Sequence, residues 1–278
     1  MRVWGIAAVV VCLAGALWLV PERRGVTVTF LNVGQGDAIL IRGPQGAEVL
    51  IDGGATSGVV RELGRAMPFW DRSLDAIIAT HPDQDHIGGL PHILRTYTVA
   101  NIFESGMESD TRAWEAFDTA ARAEEDATRV SVRRGDRIEL GGDAYAEVLH
   151  PTGSPERDTN AASVVVRVVY GDVAVLLTGD APERVERALL ARYGSALKST
   201  VLKAGHHGSK TSSAPEFVSA VDPEFAVFSR GCENRYGHPN KKVVQLFASL
   251  HIRTFDTCEN GTITFSADRQ TVRVVKSR

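Results

Sequence analysis

The 278-residue chain lacks both a cysteine framework and an overall excess of basic residues. It has only three cysteines, with neither the C-x-x-C spacing of many zinc sites nor a dense disulfide framework. We interpret Cys232 and Cys258 as small buried hydrophobic residues, although they could pair if the fold brings them together. The net charge is −3 and the pI is near 6.3, which excludes an overall basic field but not a local basic rim.

The chain also lacks internal short-period repeats, low-complexity tracts and any interdomain linker beyond residues 21–25. Its hydrophobic share of 44% and charged share of 23% are typical of globular proteins. A chain of this length can bury a substantial core. We therefore expect one folded domain over residues 26–278.

The first 20 residues differ from the rest of the chain. Residues 3–20 contain no charged side chain, and the run just reaches the length needed to cross a bilayer. Its length, Trp18 and the flanking Arg23-Arg24 favour an N-terminal apolar helix that is kept as a membrane anchor. The small residues Ala14-Gly15-Ala16 leave open a secretory signal that is cleaved. Basic residues flank both sides, so they do not decide the orientation.

From residue 26 onward, strand patterns alternate with helical patterns. The segment Val26–Leu31 alternates and is rich in β-branched residues, which predicts a first strand. Each half of the domain then reads as a run of strands followed by alternating strands and helices. Two sheets packed face to face, with helices on both outer surfaces, would bury all the apolar strands. We therefore expect an α+β fold, a four-layer αββα sandwich.

The densest group of polar residues, Thr80–Gly89, directly follows the apolar strand Leu74–Ala79. It contains two imidazoles and two carboxylates within six positions, at His81, Asp83, Asp85 and His86. Both side-chain types bind metal ions, and a strand end lets them converge outside the sheet. A polar turn that caps the next helix is the alternative. Four ligand-type side chains make a metal site the better interpretation.

Further ligand-type residues follow other predicted strands. Asp180 ends a buried strand and is suited to bridge two ions, although it could simply cap the next helix. His206 and His207 are adjacent on a turn and should point in different directions. We expect one to bind metal and the other to contact substrate or move a proton. His238 lies between a strand and a helix, and Asp52 could support the metal site or stabilise its own turn.

Several stretches together carry a family resemblance. They are Phe30–Asp37, Ile51–Gly54, Thr80–Gly89, Leu177–Asp180, Leu202–Ser209 and Tyr236–Pro239. In these stretches the chain resembles the metallo-β-lactamase superfamily, whose signature is H-x-H-x-D-H after a strand. More narrowly, it resembles the metallo-β-lactamase-like domain of the ComEC family of DNA-uptake proteins.

The chain departs from the superfamily pattern at two places. Asp83 stands where the second histidine of the signature is usual, as in ComEC-like domains. The usual later histidine has no counterpart in the loop 157–163, and His150 lies before that loop. One metal subsite is therefore poorer in nitrogen than in a β-lactam hydrolase. A ComEC protein would also carry a multi-helix channel, which a chain with at most one membrane span cannot form.

The resemblance implies two divalent metal ions, Zn²⁺ or Mn²⁺ with Mg²⁺ as a further candidate. The implied ligands are His81 and Asp83 for one ion, Asp85 and His86 for the other, Asp180 between them, and His206 or His207. The implied catalytic residues are Asp85, His207 and His238. Ser209, Lys210 and Arg235 could bind phosphate, although a solvated surface role is the better interpretation of each taken individually. Asp52 and Asn160 would contact the ligand side chains without binding metal themselves.

These expectations lead to a hydrolase of phosphodiesters. The first hypothesis is a membrane-anchored or secreted nuclease that acts on DNA outside the cytoplasm, beside a separate DNA-translocation channel. The second keeps the metals but takes a small phosphoester or a phosphorylcholine-type group. The third is a non-catalytic domain that binds DNA or a partner protein. A β-lactamase is disfavoured by Asp83 and the oxygen-rich site.

Overall fold

The computed structural model describes residues 25–153, 156 and 158–276. Their strands form two sheets, of eight and seven strands. The first sheet runs in the order β15 (Val272–Lys276), β14 (Ile263–Ala267), β1 (Val26–Phe30), β2 (Ile39–Arg42), β3 (Glu48–Ile51), β4 (Ser73–Ala79), β5 (Thr98–Glu104) and β6 (Thr128–Ser131). The second runs in the order β13 (Arg253–Asp256), β12 (Phe225–Phe228), β11 (Val201–Lys203), β10 (Val173–Leu177), β9 (Val165–Tyr170), β8 (Ala144–His150) and β7 (Arg137–Gly141).

Helices connect many of these strands. In chain order they are α1 (Gly58–Ala66), α2 (Gln84–Ile87), α3 (Leu90–Leu94), α4 (Arg112–Ala123), α5 (Glu183–Tyr193), α6 (Pro215–Val221), α7 (Lys241–Ser249) and α8 (Thr257–Asn260). Short 3₁₀ turns lie at Asn160–Ala162, Gly194–Leu197 and Gly205–Gly208.

The central core lies between the two sheets. Successive side chains of a strand point to opposite faces, so every second residue of β1 enters this core, at Val26, Val28 and Phe30. Val175 and Leu177 enter it from β10 of the second sheet. Each fully buried side chain of this size contributes roughly 1.5–3 kcal/mol relative to exposure. The face-to-face packing of the sheets therefore accounts for a large part of the folding energy.

Helices pack against the outer faces of both sheets. Leu63 of α1 and Phe117 of α4 belong to an apolar cluster with residues of the first sheet. Leu189 of α5, Phe217 of α6 and Phe247 of α7 belong to a cluster with the second sheet. These contacts confirm the predicted α+β fold of two sheets with helices outside them.

The predicted N-terminal apolar helix falls on residues 1–20, which lie outside the described residues. Within 25–153, 156 and 158–276, we find no helix with the length and apolar character that a membrane span requires.

The parallel strands explain why the polar loops meet. Strands β3, β4 and β5 are parallel to one another, and so are β10, β11, β12 and β13. The carboxyl ends of neighbouring parallel strands lie at the same sheet edge. Asp52 follows β3 and Thr80 follows β4, whereas Asp180, His206 and Ser229 follow three strands of the second sheet. The topology thus collects these loops at one end of the molecule.

The interpretation of two cysteines as separate buried hydrophobic residues was wrong. Cys232 and Cys258 form a disulfide bond, with their Cα atoms 5.0 Å apart. Cys232 lies in the loop after β12 and Cys258 lies in α8 after β13. These two strands pair in parallel, so the segments that follow them emerge side by side. Sequence separation alone did not reveal this neighbourhood.

Candidate metal centre

Four buried side chains meet at the shared edge of the two sheets. One ligand atom of each lies within 4.8 Å of the others, a spacing that suits ligation of a common cation. The group consists of Asp37, His86, Asp180 and His207. None of these residues is more than 2% exposed. They come from the β1–β2 loop, from α2, and from the segments after β10 and β11.

The histidine rings are held so that each presents the same nitrogen atom. Nδ1 of His86 donates a hydrogen bond to Asp52 over 2.7 Å, and Nδ1 of His207 donates to a main-chain carbonyl just after β12 over 2.7 Å. Nδ1 of His81 lies 3.0 Å from the hydroxyl of Thr80. A neutral ring that donates through Nδ1 keeps its lone pair on Nε2.

The lone pairs left on these rings suit metal binding. The Nε2 atoms of His81, His86 and His207 are buried without a hydrogen-bond partner. Oδ1 of Asp37 and Oδ1 of Asp180 are also buried without one. Buried polar atoms are rarely left unpaired, so five such atoms in one cluster point to a missing common partner. The donor set therefore fits divalent metal ions.

Asp52 fixes the orientation of the His86 ring through the hydrogen bond from Nδ1. Its Oδ1 accepts the main-chain N–H of Thr80 over 2.8 Å, and its Oδ2 accepts the Thr80 hydroxyl over 2.7 Å. Its φ of 58° lies in the left-handed region, which is uncommon for a residue other than glycine. A carboxylate with both oxygens engaged is a rigid acceptor for the ring. Asp52 thus contacts a candidate ligand without joining the four-residue group.

The carboxylate of Asp180 lies among three imidazole rings. Its Oδ2 is 3.3 Å from Nε2 of His86, 3.4 Å from Nε2 of His207 and 3.6 Å from Nε2 of His206. The main-chain N–H of Asp180 donates to Oγ of Ser163 over 3.1 Å. One oxygen surrounded in this way suits a ligand that two ions share.

Asp37 reaches the centre through a tightly packed turn. Its main-chain N–H donates to the carbonyl of Asp85 over 3.2 Å, so the β1–β2 loop lies against α2. A Cβ atom at Gly36 would lie 1.8 Å from that same carbonyl oxygen, and φ of Gly36 is 109°. Only glycine fits both conditions. The glycine before Asp37 therefore lets this carboxylate approach the histidines.

A lysine is buried in the same centre. Nζ of Lys203 lies 2.9 Å from Oδ2 of Asp37 and 3.6 Å from Oδ1 of Asp180, and it donates to the carbonyl of Gly179 over 2.8 Å. Burial by itself would lower the pKa of this ammonium group, but Asp37 and Asp180 raise it above its ordinary value. Lys203 is therefore a permanent positive charge beside the candidate ligands.

The imidazoles and the carboxylate of Asp180 shift one another's pKa values. Burial would lower the pKa of His207 and of His86, but Asp180 in particular holds both pKa values well above the ordinary one. Burial would raise the pKa of Asp180, and the two histidines hold it well below. Both pKa shifts show that positive charge is stabilised beside Asp180, and bound divalent ions would supply such charge.

The remaining predicted ligands lie around this group. Oδ2 of Asp85 is 3.3 Å from Nε2 of His207, and Oδ2 of Asp83 is 3.6 Å from Nε2 of His81. The structure therefore brings all the sequence-predicted metal ligands to one place, namely His81, Asp83, Asp85, His86, Asp180 and His206.

His206 and His207 take different positions although they are adjacent. Both have φ near 50° in the left-handed region, within the 3₁₀ turn Gly205–Gly208. His207 is buried in the four-residue group, whereas the His206 side chain is 26% exposed and its Nδ1 lies 3.2 Å from the hydroxyl of Thr211. His238 lies beyond them, with ring centroids 5.5 Å from His206 and 6.5 Å from His207.

The three residues expected to bind phosphate differ in exposure. Ser209 is buried and its Oγ lies 3.0 Å from the Thr211 hydroxyl, so it is engaged within its own loop. Lys210 and Arg235 are exposed, and the Arg235 guanidinium lies 5.4 Å from the ring centre of Tyr236. Asn160, expected to support the ligands, has a buried Oδ1 without a hydrogen-bond partner.

Two residues of the centre were absent from the sequence-based site. Asp37 was given no role there, although it ends the stretch Phe30–Asp37 that carries part of the family resemblance. Lys203 was given no role either. Its position directly after the apolar residues Val201 and Leu202 was the available signal, because lysine is almost never buried without a partner.

Comparisons with known proteins agree with the fold. The family model described as the metallo-beta-lactamase superfamily matches residues 31–231. The solved structure of CmlA, a diiron beta-hydroxylase from Streptomyces venezuelae, superposes with a TM-score of 0.55 at 14% identity. That match covers 91% of this chain and 54% of CmlA, and at this identity it shows the fold alone.

Two curated relatives are similar over most of this chain. ComE operon protein 3 of Bacillus subtilis is 34% identical over 256 residues, which are 86% of this chain and 32% of that protein. Competence protein ComA of Neisseria gonorrhoeae is 34% identical over 263 residues, which are 93% of this chain and 35% of that protein. The chain thus spans about a third of the length of these relatives. Since the family model covers most of the two-sheet domain and the loops that meet at its edge, the chain belongs to the metallo-β-lactamase superfamily.

Proposed function

We propose that the chain is a metal-dependent phosphodiesterase that cleaves DNA outside the cytoplasm during DNA uptake. The observation that carries the proposal is the buried group Asp37, His86, Asp180 and His207, whose unpartnered donor atoms face one another. The similarity to a competence protein supports DNA as the substrate. The metallo-β-lactamase superfamily fold supports hydrolysis.

Further observations support an oxygen-rich pair of metal sites. Asp37, Asp85 and Asp180 offer carboxylates, and hard oxygen ligands suit Mn²⁺ and Mg²⁺ as well as Zn²⁺. Divalent ions bound there would act as Lewis acids on a phosphodiester and lower the pKa of a water molecule. Asp52 would keep the His86 ring oriented, and Lys203 would keep Asp37 ionised.

The substrate would enter from the side of His206 and His238. Nδ1 of His238 is buried without a hydrogen-bond partner, and the ring lies beside those of His206 and Tyr236. An imidazole there can contact a phosphoryl oxygen or the leaving oxygen of the scissile group. Lys210 and Arg235 are exposed in the adjacent loops, where they could contact neighbouring phosphates.

The disulfide bond supports action outside the cytoplasm. Bonds such as Cys232–Cys258 persist in oxidising compartments and are rare in the reducing cytosol. An anchor formed by residues 3–20 would keep the domain at the membrane beside a separate DNA channel. That segment lies outside the described residues, so the anchor rests on the apolar sequence alone.

Metal analysis and DNA cleavage together test the proposal. The purified chain is expected to bind divalent metal and to cleave a labelled single strand in Mn²⁺. Asp180→Asn should lower cleavage more than about 100-fold, beyond the loss that outer partners of metal ligands cause. Asp172→Asn is the matched control, because Asp172 is exposed at the opposite end of β10.

Four other outcomes are informative. The proposal would be contradicted if the chain binds no metal. It would also be contradicted if the Asp180→Asn variant cleaves DNA as well as the unaltered chain does. Hydrolysis of small phosphodiesters without DNA cleavage would favour the small-substrate hypothesis. Metal binding without any hydrolysis would favour a DNA-binding domain.

A further inference from the structure

A polar groove runs along the outer face of the first sheet. It encloses about 1270 Å³, and α1 does not cover its floor. Thr27 and Thr29 of β1 and Thr264 of β14 form the floor. These threonines point away from the core because the alternate residues of their strands fill it. Helix α1 forms the opposite wall.

One end of the groove opens beside the metal centre. Asn32 and Gly34 line this end, and the next residue, Gln35, places its side-chain Nε2 3.4 Å from Oδ2 of Asp85. The segment before α1 is fixed there too, because the N–H of Gly54 donates to the carbonyl of Asp37 over 2.7 Å. A bound chain in the groove would therefore lead to the candidate ligands.

The other end lies at the carboxyl end of α1. The Arg42 guanidinium on β2 donates to the carbonyl of Ala66, which fixes the helix end against the sheet. The chain continues from Ala66 into a loop that carries Phe69 and Trp70. The groove thus has a metal-centre end and an end marked by an aromatic loop.

The charged lining of the groove is mainly basic. It contains three arginines, Arg42, Arg61 and Arg65, and one carboxylate, Glu62; Arg42 is already paired with the buried Glu48 over 2.6 Å, so Arg61 and Arg65 are the arginines that can take a ligand. The side chains of Arg61 and Arg65 are each 67% exposed and share Oε1 of Glu62 at 3.0 and 2.8 Å. The Glu62 side chain is only 10% exposed, but both guanidinium groups reach solvent and keep further N–H donors for a phosphate. The hydroxyl groups of the floor add neutral donors.

The aromatic loop is unusually exposed. Phe69 is 78% exposed and Trp70 is 73% exposed, the two highest values among the exposed large hydrophobic residues described. Their rings meet edge to face, with centroids 4.8 Å apart. Exposed aromatic rings next to a basic groove are the combination that binds single-stranded nucleic acid, because unpaired bases stack on the rings.

We propose that this groove is an extended binding site for single-stranded nucleic acid. Phosphates contact Arg61 and Arg65 along α1, and a base stacks on Phe69 or Trp70 at the far end. The assignment of DNA as the ligand deepens the proposed function and rests on it. The local groove is basic although the chain as a whole has a net charge of −3.

Fluorescence anisotropy of the full chain with a labelled 20-nucleotide single strand in EDTA tests the proposal, since no turnover occurs. Arg61→Ala combined with Arg65→Ala should weaken binding about tenfold and reduce the slope of log affinity against log salt by about 1.4. Phe69→Ala combined with Trp70→Ala should weaken binding about tenfold and leave the slope unchanged. A duplex of equal length should bind more weakly, because its bases are already stacked.

The matched control is Arg122→Ala combined with Arg187→Ala. Both residues are exposed helical arginines in ion pairs on other surfaces, so this variant loses the same charge. The proposal is overturned if either groove variant binds within twofold of this control, or if the duplex binds as tightly as the single strand. Equal thermal unfolding temperatures exclude a folding defect.

A second measurement separates this proposal from the proposed function. The groove variants should hydrolyse bis(p-nitrophenyl) phosphate in Mn²⁺ at the rate of the unaltered chain, because this substrate is too small to reach the groove. If the unaltered chain does not hydrolyse it at all, the phosphodiesterase fails while the groove is still judged by binding. If the groove variants lose this activity, the groove residues act through the centre and the proposal is overturned.

Discussion

Nζ of Lys203 lies 2.9 Å from Oδ2 of Asp37, and both side chains are buried at the candidate metal centre. The ammonium group helps to hold the pKa of Asp37 well below its ordinary value, although burial by itself would raise it. A fixed cation therefore contacts the same carboxylates that belong to the candidate metal-binding group. The lysine lowers the repulsion among carboxylates that the fold would otherwise face without metal.

Replacing Lys203 separates the effect of the lysine charge on stability from the effect of added metal. Lys203→Met keeps the length of the side chain but leaves Asp37 buried without its cation, which costs about 3 kcal/mol or more when one partner of a buried pair is lost. We expect this loss in the free energy of unfolding measured with urea in EDTA. The loss should be smaller in saturating metal, which supplies positive charge to the same carboxylates.

Lys198→Met is the control for this prediction. Its side chain is 71% exposed and its ion pair with Asp222 is also exposed, so we expect a loss below about 1 kcal/mol. Equal losses in the two variants would contradict the structural importance of the buried pair.

The second prediction concerns Asp52, which accepts the hydrogen bond of His86 Nδ1. Asp52→Asn should weaken metal binding about 10- to 100-fold, because the outer partner of a ligand fixes its tautomer and orientation. Competition with a chelating dye measures the affinity. Asp143→Asn, an exposed carboxylate paired with Arg269, should leave it unchanged. A metal affinity that is insensitive to Asp52→Asn would show that this contact does not orient a ligand.

Much of this fold follows from patterns in the sequence. Alternating apolar residues, such as those of Val26–Phe30, predicted strands with one face in a core. The clusters around His81–His86, Asp180 and His206 could be placed at strand ends, and parallel pairing then collects strand ends at one edge. The residue types of the candidate site could therefore be predicted from the sequence, whereas their arrangement in space required the structure.

The parts that sequence reasoning missed depend on contacts between distant segments. Asp37 joins the histidines because its turn is pressed against the carbonyl of Asp85, and nothing local to the turn reveals this contact. The burial of Lys203 is explained by its contacts with Asp37, Asp180 and the carbonyl of Gly179. Cys232 meets Cys258 through the pairing of β12 with β13. Each of these relationships is set by tertiary packing.

The third prediction concerns pH and a carboxylic acid outside the centre. Glu186 is buried, and its two oxygens accept the main-chain N–H groups of Ser213 and Ala214 over 2.8 and 2.7 Å. Burial outweighs these bonds and raises its pKa from 4.5 to about 7. The folded state therefore holds the proton more tightly than the unfolded state. The contribution of Glu186 to the free energy of unfolding is therefore largest below pH 4.5. It falls as the pH rises to about 7 and stays constant above that.

Urea unfolding between pH 4 and 8 measures this dependence. The raised pKa corresponds to a decline of about 3 kcal/mol across the interval. Glu186→Gln cannot titrate, so the difference between its curve and that of the unaltered chain isolates this group. Glu125→Gln, which removes an exposed carboxylate in the segment after α4, serves as the control. Parallel curves for the unaltered chain and Glu186→Gln would refute the raised pKa.

The fourth prediction concerns the disulfide bond between Cys232 and Cys258, which closes a loop across a sequence separation of 26. Cross-linking a loop of this size restricts the unfolded chain and stabilises the fold by about 3 kcal/mol. Dithiothreitol should therefore lower the free energy of unfolding of the unaltered chain by that amount. The variant Cys232→Ser with Cys258→Ser should start at the lower value and should not respond to dithiothreitol. A response of the double variant to the reductant, or no response of the unaltered chain, would show that this bond does not stabilise the loop that carries His238.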